Sequence, residues 1–221
     1  VLVLLLSAGG CTSFELFRRW VVSDKKILEL EKATKQAELQ QLKKQINPHF
    51  LFNMLNNANI LVKDAPDEAS QILEKLDNLL RYQLNDSTRR EVFLTADIQF
   101  LTSFLELEKV RRDHFEYTIF QEGNMENICI PPLLFIPFVE NAVKHNLDSD
   151  NLSYVHLYFS VHNKQLTFRC ENSKPRVPVK REGGIGLANV KRRLDLLYES
   201  RYTLQIEDKE TTYNVNLHLN L

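Results

Sequence analysis

The spacing of apolar residues changes once along this chain, near residue 113, and that change strongly constrains the fold. Before it, apolar residues recur every three or four positions, which indicates helices. After it, apolar and polar residues alternate in five segments, which is typical of strands: 115–120, 154–161, 166–170, 202–206 and 213–219. Two helical segments, 131–146 and 187–198, lie among these strands. We therefore predict an α+β protein, with a helical region followed by an α/β sandwich.

The helical region is predicted to contain three helices. Residues 23–62 lack glycine and carry two short heptad seams in shifted register, which is typical of a coiled coil. A second helix is predicted over 67–84, with its apolar face formed by Ile72, Leu76, Leu79 and Leu80. A third is predicted from Thr95 to Arg112, with Thr95 as its cap. Two helices with apolar stripes form half of a four-helix bundle, so we expect a homodimer.

A proline interrupts the first of these helices, and a histidine follows it. Pro48 has no N–H to donate to the carbonyl of Lys44, so we expect a kink there. Helical spacing places the polar residues Asn53 and Asn56 on the same face as His49. A different face carries apolar residues, namely Leu51, Leu55 and Ala58. The imidazole of His49 can act as a nucleophile, a general base or a metal ligand. The competing interpretation is a surface or interface histidine beside a structural proline.

Charge and cysteine content exclude several classes of protein. There are 28 lysines and arginines against 29 aspartates and glutamates, and the net charge is −1. We therefore expect no direct contact with nucleic acid. The cysteines are Cys11, Cys129 and Cys170, which are too far apart for metal-ligand spacing and are odd in number. This fits a reducing compartment better than a disulfide framework.

The N-terminal run is apolar. Residues 1–17 carry a single charge, Glu15, and are followed by Arg18, Arg19 and Trp20. Basic residues beside an interfacial tryptophan are typical of the cytoplasmic end of a transmembrane helix. We predict that residues 1–22 form the end of such a helix and the juxtamembrane segment, which would attach the chain to the inner (cytoplasmic) membrane with its remainder in the cytoplasm. A buried N-terminal helix is the alternative.

Polar residues cluster near the end of the segment 131–146. Glu140 and Lys144 are four residues apart, as are Asn141 and His145, so all four project from adjoining helix faces. An amide oxygen could ligate Mg²⁺, while an ammonium group and an imidazole could contact phosphate. A solvated helix end with an ion pair between Glu140 and Lys144 would give the same pattern.

A glycine cluster precedes the predicted helix 187–198. Glycines at positions 183, 184 and 186 would let the backbone approach a phosphate group closely, and the start of the helix offers free N–H groups. A flexible turn is the simpler interpretation. The cluster lacks the context of a dinucleotide-binding βαβ unit.

Three segments, in this order, resemble the LytS-type sensor histidine kinases: INPHFLFNMLNN, FIPFVENAVKHN and GGIGLANVKRRLDLLYE. The resemblance extends from Gln40 to the C-terminus. It implies a Bergerat-fold ATP-binding domain, the fold that these kinases share with gyrase and Hsp90, over residues 113–221. It also implies a dimerisation and phosphoacceptor region over 23–112. Such a kinase is a membrane-tethered homodimer that uses Mg²⁺ and ATP to phosphorylate its own histidine. The phosphoryl group then passes to an aspartate of a response regulator, typically of the LytTR type.

The resemblance also implies roles for individual residues. His49 matches the phosphoacceptor histidine. Asn141 matches the Mg²⁺-ligating asparagine of the N box, and its polar neighbours are Glu140, Lys144 and His145. Further matches lie in and after the glycine box: Gly184, Gly186 and, as a phosphate-contact candidate, Asn189.

One motif departs from the family pattern. ATPases of this fold carry an aspartate in a D-x-G motif, where the carboxylate accepts the adenine amino group. Here the corresponding residues are Glu171, Asn172 and Ser173, and either of the first two could contact adenine. Two alternatives to a kinase therefore stay open: a catalytically silent nucleotide-sensing dimer, or an ATP hydrolase of this fold in which Glu140 activates water.

Overall fold

The computed structural model describes residues 18–21, 24–30, 48–87, 89–112, 114–146, 152–175 and 185–221. The chain divides into two compact units, 1–48 and 49–221. In the first, 18–21 and 24–30 are helical. The apolar run 1–17 and much of the predicted coiled coil, 31–47, lie outside the described residues. Within the described ranges, no helix combines the length and apolar character needed to cross a membrane.

The second unit contains helices before and after its first strand, and only the first residue of α1, Pro48, is assigned to the first unit. The helices are α1 (Pro48–Asp64), α2 (Pro66–Arg81), α3 (Leu94–Val110), α4 (Ile136–His145) and α5 (Ile185–Tyr198). A π-helical turn, Tyr82–Asp86, continues α2. Pro66 occupies the first position of α2, where its missing N–H costs no intrahelical bond. The predicted apolar face of α2 is confirmed, because Ile72, Leu76 and Leu79 are buried and Leu80 is partly buried.

The apolar face predicted for α1 is wrong at Leu55, which is 47% exposed. Of the other two predicted residues, Ala58 is buried and Leu51 is half-buried, and α1 also buries Phe50 and Met54. The ring of Phe50 lies 5.4 Å from that of Phe104 on α3, measured between centroids. This contact turns the Phe50 side of α1 towards the core, which leaves Leu55 outside the buried stripe.

The predicted threonine cap of α3 is also wrong. Thr95 lies inside the helix, and the residue before the helix is Phe93, in an extended conformation and without a side-chain cap. The N–H of Leu94 donates instead to the carbonyl oxygen of Ile128, at 2.8 Å. A backbone group from a distant loop therefore satisfies the start of α3, and spacing along the sequence could not reveal this.

All five predicted strands are confirmed and form one mixed sheet. The strands are β2 (Phe115–Glu122), β4 (Ser153–His162), β5 (Gln165–Ser173), β6 (Tyr202–Asp208) and β7 (Thr212–Asn220). Their order across the sheet is β2-β4-β5-β7-β6. The pair β2–β4 is parallel, and the other pairs are antiparallel. Two-residue strands that were not predicted, β1 (Val92–Phe93) and β3 (Cys129–Ile130), pair with each other.

The helices α3, α4 and α5 cover one face of this sheet. Alternate residues on the covered face are almost fully buried, as at Val155, Phe168 and Leu217. Under α4, the ring centroid of Phe168 lies 4.5 Å from that of Phe135 and 5.8 Å from that of Phe138. The predicted α+β class is confirmed: helices precede a sandwich that has one helical layer and one sheet layer.

The helix predicted over 131–146 is shorter than expected, because α4 begins only at Ile136. Prolines 131 and 132 precede Leu133, whose φ of +55° is a left-handed conformation that a leucine rarely adopts. This conformation breaks the helical path, so residues 131–135 form a turn against the core rather than a first helical turn.

A buried carboxylate joins three parts of the unit. Asp97, in the first turn of α3, is fully buried. Its Oδ1 accepts hydrogen bonds from the hydroxyl of Tyr82, at 2.5 Å, and from the N–H of Leu133, at 3.0 Å. The guanidinium of Arg193 on α5 and the N–H of Phe135 also lie near the carboxylate and favour its charged form. Burial outweighs these contacts and raises the pKa of Asp97 to about 6.

The raised pKa predicts how stability depends on pH. At pH values between the ordinary pKa of an aspartate and 6, Asp97 holds a proton in the folded state and loses it on unfolding. Rising pH therefore destabilises the fold in this range. The groups that face it are the Tyr82 hydroxyl, the Arg193 guanidinium and the N–H groups of Leu133 and Phe135. From pH 5 to 7.5 we expect the free energy of unfolding to fall by about 1.4 kcal/mol relative to Asp97→Asn. Urea titrations of both proteins over this pH range would measure the fall. The prediction would be contradicted if the free energies of unfolding of the two proteins changed with pH in parallel.

Candidate functional site

Asn141 is positioned by the packing of α4 on the sheet. It lies one turn beyond Phe138, and both Phe138 and Ala142 are buried against the core. Asn141 itself is half-buried. The buried stripe therefore fixes the rotation of α4 and leaves the amide of Asn141 at the edge of the helix–sheet interface.

Glu140 lies beside a second carboxylate. The residue is exposed overall, yet its carboxyl group has crowded surroundings, and this desolvation raises its pKa. The carboxylate of Glu108, on α3, raises it further. Glu108 is itself buried and pairs with Arg111, with 2.5 Å between Oε2 and Nη2. The remaining predicted polar neighbours, Lys144 and His145, lie in the last turn of α4, where Lys144 is exposed and His145 is half-buried.

An arginine that the sequence analysis missed caps the end of α4. Arg112 donates from Nη2 to the carbonyl oxygen of Val143 and from Nη1 to Oδ1 of Asn146, both at 3.0 Å. Asn146 is fully buried and donates from Nδ2 to the carbonyl oxygen of Tyr154 on β4, at 3.2 Å. A cation is favourable at the C-terminus of a helix. These contacts fix the end of the Asn141 helix against the sheet.

The two candidates for base recognition lie on opposite faces of β5. Asn172 is 1% exposed and is directly opposite Val155, whose side chain is on the face covered by the helices. Glu171 is on the other face, where its carboxylate pairs with Arg169 at 2.6 Å and accepts from the Tyr154 hydroxyl at 3.4 Å. The alternation of side chains along a strand therefore brings Asn172, and not Glu171, to the side of α4.

The hydrogen bond of Asn172 fixes the orientation of its amide. Nδ2 donates to the carbonyl oxygen of Ser173, at 2.8 Å. A carbonyl oxygen cannot donate a hydrogen bond, so the nitrogen must face it and the amide presents Oδ1 as an acceptor.

The glycine cluster leads into α5, which contacts α4. Gly186 lies in the first turn of α5, Asn189 is exposed one turn later, and Gly184 lies outside the described residues. Arg193, further along α5, donates to the carbonyl oxygens of Pro132 and Leu133, at 2.6 and 3.1 Å. Asn141, Asn172 and the start of α5 are therefore on three elements that pack together.

His49 is the second residue of α1, so the predicted phosphoacceptor lies in the first turn of that helix. The predicted kink at Pro48 stays a prediction, because residues 31–47 are outside the described part of the chain. The predicted boundary between the helical region and the ATP-binding domain, between residues 112 and 113, also stays a prediction.

Part of the chain is similar to a known protein family. Residues 37–115, which include His49, match the family "Histidine kinase". Within that class the resemblance to LytS-type sensors is confirmed. The chain is 30% identical over 203 residues to "Sensor protein LytS" of Staphylococcus haemolyticus, covering 85% of this chain and 35% of that protein. It is 32% identical over 119 residues to "Sensor histidine kinase YpdA" of Escherichia coli, covering 54% and 21%. The chain thus spans about a third or less of the length of these relatives.

The chain is also similar to solved structures, at TM-scores below 0.5. One is the histidine kinase domain of the blue-light activated histidine kinase of Erythrobacter litoralis, at 17% identity and a TM-score of 0.46, covering 83% of this chain and 90% of that one. Another is the catalytic domain of histidine kinase ThkA, at 15% identity and a TM-score of 0.44, covering 59% and 93%.

Proposed function

We propose that this protein is a two-component sensor histidine kinase that phosphorylates itself on His49 from Mg·ATP. The phosphoryl group then passes to an aspartate of a response regulator, of the LytTR type. The observation that best supports this is the similarity to LytS, which extends over 85% of the chain and so includes both the His49 helix and the sandwich. Attachment to the cytoplasmic membrane through residues 1–22 belongs to the same proposal.

The residues around the helix–sheet interface suit ATP. The buried Asn172 has an acceptor oxygen for the adenine amino group, and its amide orientation is held by Ser173. The start of α5, at Gly186, would bind phosphate through backbone N–H groups. An exposed Asn189 and Lys144 are available for further phosphate contacts.

A divalent cation also fits this site. The amide oxygen of the half-buried Asn141 is a hard ligand of the kind that Mg²⁺ prefers, and Mg²⁺ typically takes few protein ligands beside substrate phosphates. Bound there, Mg²⁺ would neutralise charge on the phosphate oxygens. Arg112 contributes indirectly, because it holds the end of the helix that carries Asn141.

The transfer itself requires positioning more than covalent chemistry by the ATP site. An imidazole nitrogen of His49 attacks the γ-phosphorus in line. A nitrogen–phosphorus bond forms, the bond from the γ-phosphorus to the bridging oxygen breaks, and ADP leaves with that oxygen. The ring proton displaced from His49 is released to a base or to water.

Exposed apolar residues on the helical region support a homodimer. On α1, Phe52 is 67% and Ile60 is 68% exposed, and on α2, Leu73 is 46% exposed. Solvated apolar side chains on two successive helices are what a bundle formed by two copies would cover. We propose that the dimer forms through these helices.

Incubation of the full chain with γ-labelled Mg·ATP tests the proposal. We expect acid-labile, alkali-stable label on the parent and none on His49→Gln. The matched control is His162→Gln, on the exposed end of β4, which should label like the parent. Removing the attacking nitrogen removes the reaction, so the expected loss is complete.

The other outcomes favour the two alternatives. ATP binding without any label on the parent would point to the nucleotide-sensing dimer. Steady phosphate release without protein-bound label would point to a hydrolase, for which the raised pKa of Glu140 would suit a general base. Equal labelling of His49→Gln and the parent would assign the phosphoacceptor to another residue.

A further inference from the structure

The turn before α4 contains a residue with a strained backbone, Leu133, whose N–H and carbonyl group are both hydrogen-bonded to distant side chains. Leu133 has a φ of +55°, a conformation that costs a leucine free energy and persists only where the surroundings enforce it. Its N–H donates to Oδ1 of Asp97, and its carbonyl oxygen accepts from Nη1 of Arg193. The leucine side chain is itself buried, at 4% exposure. Asp97, Arg193 and the Leu133 backbone therefore form a unit, which we call the Leu133 clamp.

The clamp joins the elements that flank the proposed nucleotide site. Leu133 lies three residues before α4, which carries Asn141, and Arg193 lies on α5, whose first turn contains Gly186. A second hydrogen bond, from Nη2 of Arg193 to the carbonyl oxygen of Pro132, makes the contact bidentate. A planar guanidinium that donates to two successive carbonyl groups fixes orientation as well as distance.

The helical region contacts the same clamp through Tyr82. This tyrosine is the first residue of the π-helical turn that directly follows α2, and it is buried. Its ring stacks on Phe100 of α3, with centroids 4.7 Å apart, and its hydroxyl donates to Asp97. π-Helical turns in helices often mark functional positions. The second oxygen of Asp97, Oδ2, is buried and has no hydrogen bond to any described residue, so loss of the Tyr82 bond would leave the carboxylate poorly satisfied.

We infer that Tyr82 and Asp97 are positioning residues for the nucleotide site. Through the Leu133 clamp, the π-helical turn after α2 sets the orientation of α4, which carries Asn141, relative to α5. The geometry makes this a direct physical connection from the helical region to both helices that flank the site. Its consequence for ATP rests on the function proposed above, whereas the mechanical connection does not.

Amide hydrogen exchange of the full chain tests the connection without nucleotide. Tyr82→Phe keeps the stacked ring and removes only the hydroxyl. Loss of a hydrogen bond to a charged group should speed exchange about tenfold in peptides that cover 131–138 and the described start of α5. The matched control is Tyr158→Phe, whose hydroxyl donates to Glu122 on the uncovered face of the sheet. It should leave both peptides unchanged.

Two results would reject the connection. One is identical exchange in Tyr82→Phe and Tyr158→Phe over 131–138. The other is equally faster exchange in Tyr82→Phe across the central strand β5, because that would show global destabilisation rather than a local effect. A second pair of variants checks the α5 side: Arg193→Lys should loosen 131–138, while Arg192→Lys, an exposed neighbour on α5, should not.

Kinetics then test the consequence for ATP. We expect Tyr82→Phe to raise the ATP concentration for half-maximal autophosphorylation about fivefold, with the saturating rate within about twofold of the parent. A protein that had merely lost folded fraction would show a lower saturating rate at unchanged half-saturation, and this would contradict the positioning role. If the parent neither bound ATP nor labelled, the proposed function would fail, and the exchange data would still decide the clamp.

Discussion

Asn141→Ala should lower the rate of His49 labelling at saturating ATP by about 100-fold or more, because a ligand of the charge-neutralising cation contributes several kcal/mol to phosphoryl transfer. Asn141 is half-buried at the edge of the helix–sheet interface, and neighbouring residues on α4 form the buried stripe. The substitution should therefore leave the fold intact. Single-turnover labelling over a series of Mg²⁺ concentrations would measure the effect.

The matched control for this variant is Asn216→Ala. Asn216 is also half-buried, but it lies on β7 opposite Arg169, on the face of the sheet away from the helices. It should label within about twofold of the parent. A rate for Asn141→Ala within threefold of the parent, with unchanged Mg²⁺ dependence, would remove Asn141 from the proposed cation site.

Asn172→Ala should weaken Mg·ATP binding by about 5- to 30-fold, because a buried acceptor that recognises one amino group contributes about 1–2 kcal/mol. Glu171→Ala, one residue earlier, should change the affinity less than twofold, since its carboxylate is engaged with Arg169 on the opposite face. Calorimetric titration of both variants would separate the two candidates that the sequence left open.

A second substitution at position 172 tests the chemistry of this residue rather than its location. Asn172→Asp keeps an acceptor oxygen for the adenine amino group but loses the Nδ2 donor to Ser173, so we expect an ATP affinity between those of the parent and Asn172→Ala. Loss of affinity in Glu171→Ala but not in Asn172→Ala would reverse the assignment. GTP should compete poorly with ATP for the parent, because the 6-oxo group of guanine cannot donate to Oδ1 of Asn172.

Much of this fold follows from local pattern. Alternation predicted every strand of the five-stranded sheet, and helical spacing predicted the buried face of α2, because both signals record which side of an element loses water. The sequence also brought Asn141, Asn172 and the glycine cluster to attention as candidates. It could not choose between Glu171 and Asn172, although the strand register settles which face each occupies.

The differences between the predicted and the observed elements arise from contacts between residues that are distant in the sequence. Leu55 is exposed because Phe50 packs against Phe104, so that the Phe50 side of α1 faces the core. The start of α4 is delayed because Asp97 and Arg193 hold Leu133 in a left-handed conformation. One signal was available: Asp97 interrupts the apolar stripe of α3 between Leu94 and Leu101, and a charge in such a stripe indicates a buried polar contact.

The sheet topology also implies an order of folding. Asn163 and Lys164 both have positive φ and join β4 to β5 through a two-residue turn, so this hairpin can form early from local contacts. Strand β2, by contrast, pairs in parallel with β4 only after the intervening chain, including α4, has crossed the sheet. Because β2 follows α3 directly, the edge that attaches the helical region should be among the last parts of the sandwich to close.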